Sequence, residues 1–203
     1  SCFLSGLIGQ GKNITLILVL TGMVVQSIFM AFVSIIKYVA DPDGKLPAIT
    51  FWLMGGLTTI TWKDVSLIML PMIASMVPIF LVRYKINVLS FGEEEAQSMG
   101  VNTKRIRTII ILCSTLLTAI SVSISGMIGW VGLVIPHISR LIVGPNYKIL
   151  LPTSFFIGGI FLLIVDNFAR NLFAMEIPLG ILTSIIGAPF FLYLILRGKG
   201  DMI

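Results

Sequence analysis

Val65-Ser-Leu-Ile-Met-Leu-Pro-Met-Ile-Ala-Ser-Met-Val-Pro-Ile-Phe-Leu-Val82 carries no charge and approaches the roughly 20 apolar residues that cross a bilayer core. It leads into Ser90-Phe-Gly-Glu-Glu-Glu-Ala-Gln-Ser-Met-Gly-Val-Asn-Thr-Lys-Arg-Ile-Arg107, a short, charged, helix-compatible element. A second apolar run, Ile106–Ile124, follows at once. Two hydrophobic runs flanking a charged connector read as two spans joined by an aqueous loop. Such a loop is a place where another protein can push.

The rest of the chain agrees. Of 203 residues, 57% are hydrophobic and 11% charged, with mean hydropathy +1.04. A water-soluble domain of this size needs more charge to cover its surface. Further apolar runs occupy Ile14–Ile36, Ile128–Val143, Leu150–Val165 and Leu179–Leu196. The fold class is therefore all-α, a polytopic helical membrane protein of about six spans, with one transmembrane domain over 1–203 and a cytoplasmic loop at 90–103. Leu46–Ile60 is too short to span; with Pro47 near a helix start it reads as a re-entrant or interfacial helix.

Charge gives an orientation. With the 90–107 loop in the cytoplasm, that side holds Lys12, Arg83, Lys85, Lys104, Arg105, Arg107, Arg140, Lys148, Arg197 and Lys199, and the outer side keeps Lys37, Lys45, Lys63 and Arg170. This excess is the positive-inside bias, and it places the C-terminus inside. It also accounts for the net charge of +5 without nucleic acid. Cys2 and Cys113 lie far apart with no CxxC, so neither a disulfide framework nor a zinc site is indicated. The N-terminus lacks the pattern of a cleavable signal and opens on an apolar stub, as a piece of a longer polypeptide would.

Several segments could carry chemistry. In the charged loop, Ser90 is placed as a helix cap. Glu93, Glu94 and Glu95 suit the positive end of the helix dipole, and Gly100 stops the helix. An ordinary amphipathic connector would share these features. Small Ala96 and Ser98 beside Met99 add a shallow knob that a partner groove could accept. In Gly126-Met-Ile-Gly-Trp-Val-Gly-Leu-Val-Ile-Pro-His-Ile-Ser-Arg140, Gly126, Gly129 and Gly132 allow close backbone approach, and Pro136 frees a carbonyl. His137 and Arg140 share a helix face. A proton relay is conceivable, but bonding to freed carbonyls and headgroups is favoured, because no span interior holds a carboxylate. Asp166 and Arg170 have ion-pair spacing, read as a clamp at a helix end. Glu176 before Pro178 caps the next helix or lines an outer vestibule. Gly180, Ser184 and Ala188 form a small-residue face for helix packing. Gly6-Leu-Ile-Gly-Gln-Gly-Lys-Asn13 nearly matches a phosphate loop, yet Asn13 stands where a magnesium-binding hydroxyl belongs and a span follows, so it is set aside. No His, Cys or carboxylate grouping suits a metal. An ion-coupled secondary transporter remains the alternative; it needs a buried carboxylate or unwound ion site, for which only Gly126–Gly132 offers anything.

At this point the chain resembles a known family. Gly129-Trp-Val-Gly-Leu-Val-Ile-Pro-His-Ile-Ser-Arg140, Gly144-Pro-Asn-Tyr-Lys-Ile-Leu-Leu-Pro152, Asp166-Asn-Phe-Ala-Arg170 and Glu176-Ile-Pro-Leu-Gly-Ile-Leu-Thr-Ser-Ile-Ile-Gly-Ala-Pro-Phe-Phe191 are similar to the signatures of FecCD-type permeases of ABC importers for iron-siderophores, haem and vitamin B12. Phe51-Trp-Leu-Met-Gly-Gly56 looks like that family's short helix between spans, and Glu95-Ala-Gln-Ser-Met-Gly-Val101 like its coupling helix. The resemblance implies a ten-helix permease, of which this chain is the C-terminal portion, working as a homodimer in the cytoplasmic membrane. It implies ATP-binding cassette subunits docked at Glu93, Glu94, Glu95, Ala96, Ser98, Met99 and Gly100, with ATP and magnesium held by those subunits and no cofactor here. It further implies a solute-binding protein outside and a path lined by Met23, Met30, Phe51, Trp52 and Met54, where apolar packing is the favoured role of each Met.

Overall fold

The computed structural model describes residues 14–172 and 176–198. Cys2, the Gly6–Asn13 stretch, Lys12 and Lys199 lie outside the described residues, as does the side chain of Arg197. The described residues form eight helices: α1 Ile14–Val39, α2 Lys45–Met54, α3 Trp62–Leu89, α4 Glu93–Ser98, α5 Thr103–Ser125, α6 Val131–Val143, α7 Tyr147–Asn171 and α8 Leu179–Gly198. The chain falls into two compact units, 1–50 and 51–203.

In the first unit, α1 is a continuous apolar helix. Thr21, Ser27 and Ser34 return their hydroxyls to the carbonyls of Ile17, Met23 and Met30 at 2.7–2.9 Å, so each polar group is satisfied without a partner helix. Met23 and Met30 are exposed.

In the second unit, a capping box starts α3: Thr61 Oγ1 accepts from the Asp64 N–H, and Asp64 Oδ2 accepts from the Thr61 N–H at 2.9 Å. At 28 residues the helix is about 42 Å long, more than a bilayer core requires. Pro71 and Pro78 lie within it. α3 packs chiefly along α5, α6 along α7, and α8 against both α6 and α7. Val165, Ala169 and Leu179 form a buried cluster covered by Leu57, Ile128, Phe161 and Leu182. Most other large apolar side chains face outward; Leu70 and Leu81 are 79% and 77% exposed. In water that surface would be untenable, whereas in lipid it costs nothing. Among the described residues, four helices are long and apolar enough to cross a membrane: Val19–Val39 within α1, and α3, α5 and α7. The apolar stretches Val131–Val143 and Leu179–Leu194 are shorter.

Three expectations change. Ile128–Val143 is not continuous helix: α6 starts at Val131, and its 13 residues reach only about 20 Å. The preceding Gly126–Trp130 is irregular, because Gly126 (φ 66°) and Trp130 (φ 67°) both adopt left-handed backbone. Of Gly126, Gly129 and Gly132, only Gly126 meets another backbone, at the Trp52 carbonyl and Gly55; Gly129 and Gly132 face open space within this chain. On α8 Thr183 and Gly187 are buried, Gly180 and Ser184 are half-buried, and Ala188 is exposed. Ala188 therefore leaves the expected small-residue face, and the close contacts on this helix are made by Gly180 under the carbonyls of Met54 and Met127 and by Gly187 against Trp130.

Candidate functional site

Between α3 and α5 the loop builds a small closed unit. Ser90 does not cap α4: it ends α3, donating its N–H and hydroxyl to the Asn87 carbonyl, the hydroxyl at 2.6 Å. The N-cap of α4 is Gly92 at φ 123°, with no side-chain cap. Glu93, Glu94 and Glu95 occupy the first turn, all exposed, where the helix dipole favours anions. The C-terminus closes as a Schellman motif. Val101 N–H bonds the Ala96 carbonyl at 3.0 Å, Gly100 N–H bonds that of Gln97 at 2.9 Å, and Gly100 supplies the left-handed residue at φ 77°.

Ala96 is fully buried, so it is the foot of α4 rather than part of an outward knob. It sits beneath a helix that packs on both α3 and α5. Gln97 Nε2 donates to Thr103 Oγ1 at 3.2 Å, and Arg107 pairs with Glu93 at 3.2 Å across the loop. Both partners of that pair are 45% exposed, so it guides geometry more than it stabilises. Asn102 caps α5 by accepting from the Arg105 N–H at 3.0 Å. The outward surface is Glu93–Glu95, Ser98 and Met99, joined by Phe91, which is 72% exposed. Phe91 was missed in the sequence; its signal is a lone aromatic beside an acidic turn.

Elsewhere the structure gathers some residues and separates others. Arg170 Nε donates to Asp166 Oδ2 at 2.8 Å, on the last turns of α7, and Asp166 is the more buried partner. Asp166, Arg170, Glu176 and Pro178 line one small recess with Phe51 and Gly56. Phe51, Trp52 and Met54 are each more than a third exposed. His137 and Arg140 are both exposed on α6, and Arg140 reaches the Tyr147 hydroxyl at 3.4 Å. Among the described residues no group of three or more His, Cys, Asp or Glu is placed to hold a metal.

Residues 1–197 match the model of the FecCD transport family. The chain is 42% identical over 184 residues to the molybdate import system permease protein MolB of Haemophilus influenzae, covering 91% of this chain and 55% of that protein. It is 38% identical to the cobalamin import system permease protein BtuC of Halobacterium salinarum, over 92% of this chain and 50% of that one. A solved inward-facing conformation of a metal-chelate type ABC transporter superposes with a TM-score of 0.87 at 41% identity, over 96% of this chain and 62% of the other. The chain thus spans about half the length of the curated relatives it matches. With that match over nearly its whole length, this chain belongs to the FecCD transport family.

Proposed function

We propose that the chain is the C-terminal portion of the transmembrane permease of an ATP-binding cassette importer. It forms, with a second copy, the path for a metal chelate or related cofactor such as a ferric siderophore, haem or cobalamin. A solute-binding protein delivers the cargo outside. ATP and magnesium bind to cassette subunits inside, and the C-terminus is cytoplasmic.

The observation that carries this reading is the loop around α4. A six-residue helix closed by a Schellman motif, seated through Ala96 and presenting Phe91, Met99 and three carboxylates, is a rigid protrusion suited to a partner's groove. Closure of a cassette dimer on ATP would press α4, and α3 and α5 would tilt with it. Affinity binding resides in the solute-binding protein, so the path need not grip its cargo. The relatives' named cargoes, molybdate and cobalamin, differ widely in size and polarity, which suits a weakly binding path.

The test is purification of the full-length gene product in mild detergent, with identification of co-purifying proteins and an ATPase assay. Recovery of a cassette subunit supports the reading. A clean preparation without partner or ATPase overturns it.

A further inference from the structure

Asn87 lies in the last turn of α3, just before the loop that carries α4. Its side chain makes two bonds across nearly sixty residues of sequence. Nδ2 donates to Asn146 Oδ1 at 2.8 Å, and Oδ1 accepts from the Tyr147 N–H at 2.8 Å. The amide orientation is fixed from both sides, because Asn146 Oδ1 also accepts the Lys148 N–H at 3.0 Å and the Tyr147 N–H needs an oxygen. One turn earlier on α3, the Tyr84 ring sits 4.9 Å beneath the Lys148 ammonium. Arg140, in the last turn of α6, reaches Tyr147 from the third side. Among the described residues, no other side-chain hydrogen bond joins elements so distant in sequence.

We infer that Asn87 is a positioning residue that locks the cytoplasmic end of α3 to the α6–α7 corner, so that a push on α4 moves α6 and α7 as well as α3 and α5. The inference rests on the cassette-docking reading of α4. Its physical basis is stiffness. α3 packs chiefly along α5 and less against α7, and two convergent hydrogen bonds to consecutive residues at the start of α7 hold the end of α3 in one register against it. The same amide satisfies one of the otherwise orphaned N–H groups of α7, so separating the elements would expose it. Without the lock, α4 would still dock and the cassettes would still turn over, but the motion would be lost between α3 and α7.

The experiment uses the complete permease–cassette complex in nanodiscs, with native cysteines replaced and a reporter Leu141→Cys at the exposed end of α6. The rate of maleimide labelling is compared between the nucleotide-free and ATP–vanadate-trapped states, which requires no knowledge of the cargo. With Asn87 present the nucleotide should change the rate. Asn87→Leu should cut that change by about 2- to 30-fold, the span expected when a coupling element is removed, while basal ATPase persists. Asn87→Asp, which keeps the acceptor for Tyr147 N–H and loses the donor to Asn146, should fall between; it also serves if the Leu variant does not assemble. A control, Asn167→Ala, removes a bond within α7 only and should leave the response intact. An undiminished nucleotide response in both Asn87 variants overturns the lock while leaving the docking reading standing. If no cassette accompanies the unaltered permease, it is the docking reading that fails.

Discussion

Gly126 and Gly129 stand three residues apart and look equivalent in sequence, yet a side chain has room at only one of them. A methyl group on Gly126 would meet the Trp52 carbonyl and force a left-handed backbone on an L residue. Gly126→Ala should therefore destabilise the fold by about 2–4 kcal/mol, combining backbone strain with overpacking. Gly129→Ala should stay within about 0.5 kcal/mol. Thermal unfolding in detergent compares the two, and equal losses would contradict the close approach. Glycine-rich composition announces that some backbone is crowded, but which glycine is crowded depends on segments distant in sequence. His137 is a second residue-scale case: exposed, on a proline-containing helix, with no carboxylate on its own face. His137→Gln should leave ATPase of the assembled complex unchanged. A loss of activity in that variant would restore a functional role for the imidazole.

At the scale of the element, α4 was legible in outline and wrong in its foundations. The acidic first turn and the terminating Gly100 follow from local rules and stand in the structure. Ser90 as its cap does not, because the hydroxyl closes α3 first and Gly92 makes the turn. Ala96 could not be assigned a side from sequence, as a helix of six residues has too few turns to show a face. Two predictions belong here. Replacing Glu93, Glu94 and Glu95 with Lys should reduce cassette recovery in a pull-down while the membrane part keeps its thermal stability; undiminished recovery with intact coupling would refute the docking assignment. Gly100→Val should loosen the C-terminus of α4 by about 1–2 kcal/mol through left-handed strain, and proteolysis in the 90–101 loop should accelerate. The apolar helices were read with more success in α1, α3, α5 and α7, whose length dominates their signal. α6 was misjudged because its apolar residues run on into Gly126–Trp130, where backbone conformation, not hydropathy, ends the helix.

For the molecule as a whole, the excess of basic residues on one set of loops gives an orientation that labelling can check. Ser98→Cys should resist an impermeant maleimide in intact cells and react after lysis, whereas Thr59→Cys should react in both; the reverse pattern would invert the topology. The three-way joint at Gly55, Gly126 and Gly180 bears on the molecule's capacity for change. There the Gly56 N–H bonds the Ser125 carbonyl and the Leu179 N–H bonds that of Gly55, both at 2.9 Å, and the glycines remove any side chain from between them. Hydrogen bonds between main-chain atoms do not depend on what the neighbouring helix faces carry. Those faces can be rewritten residue by residue while these crossings stay put, so substitutions on the helix faces should disturb the fold less than a side chain added at any of the three glycines.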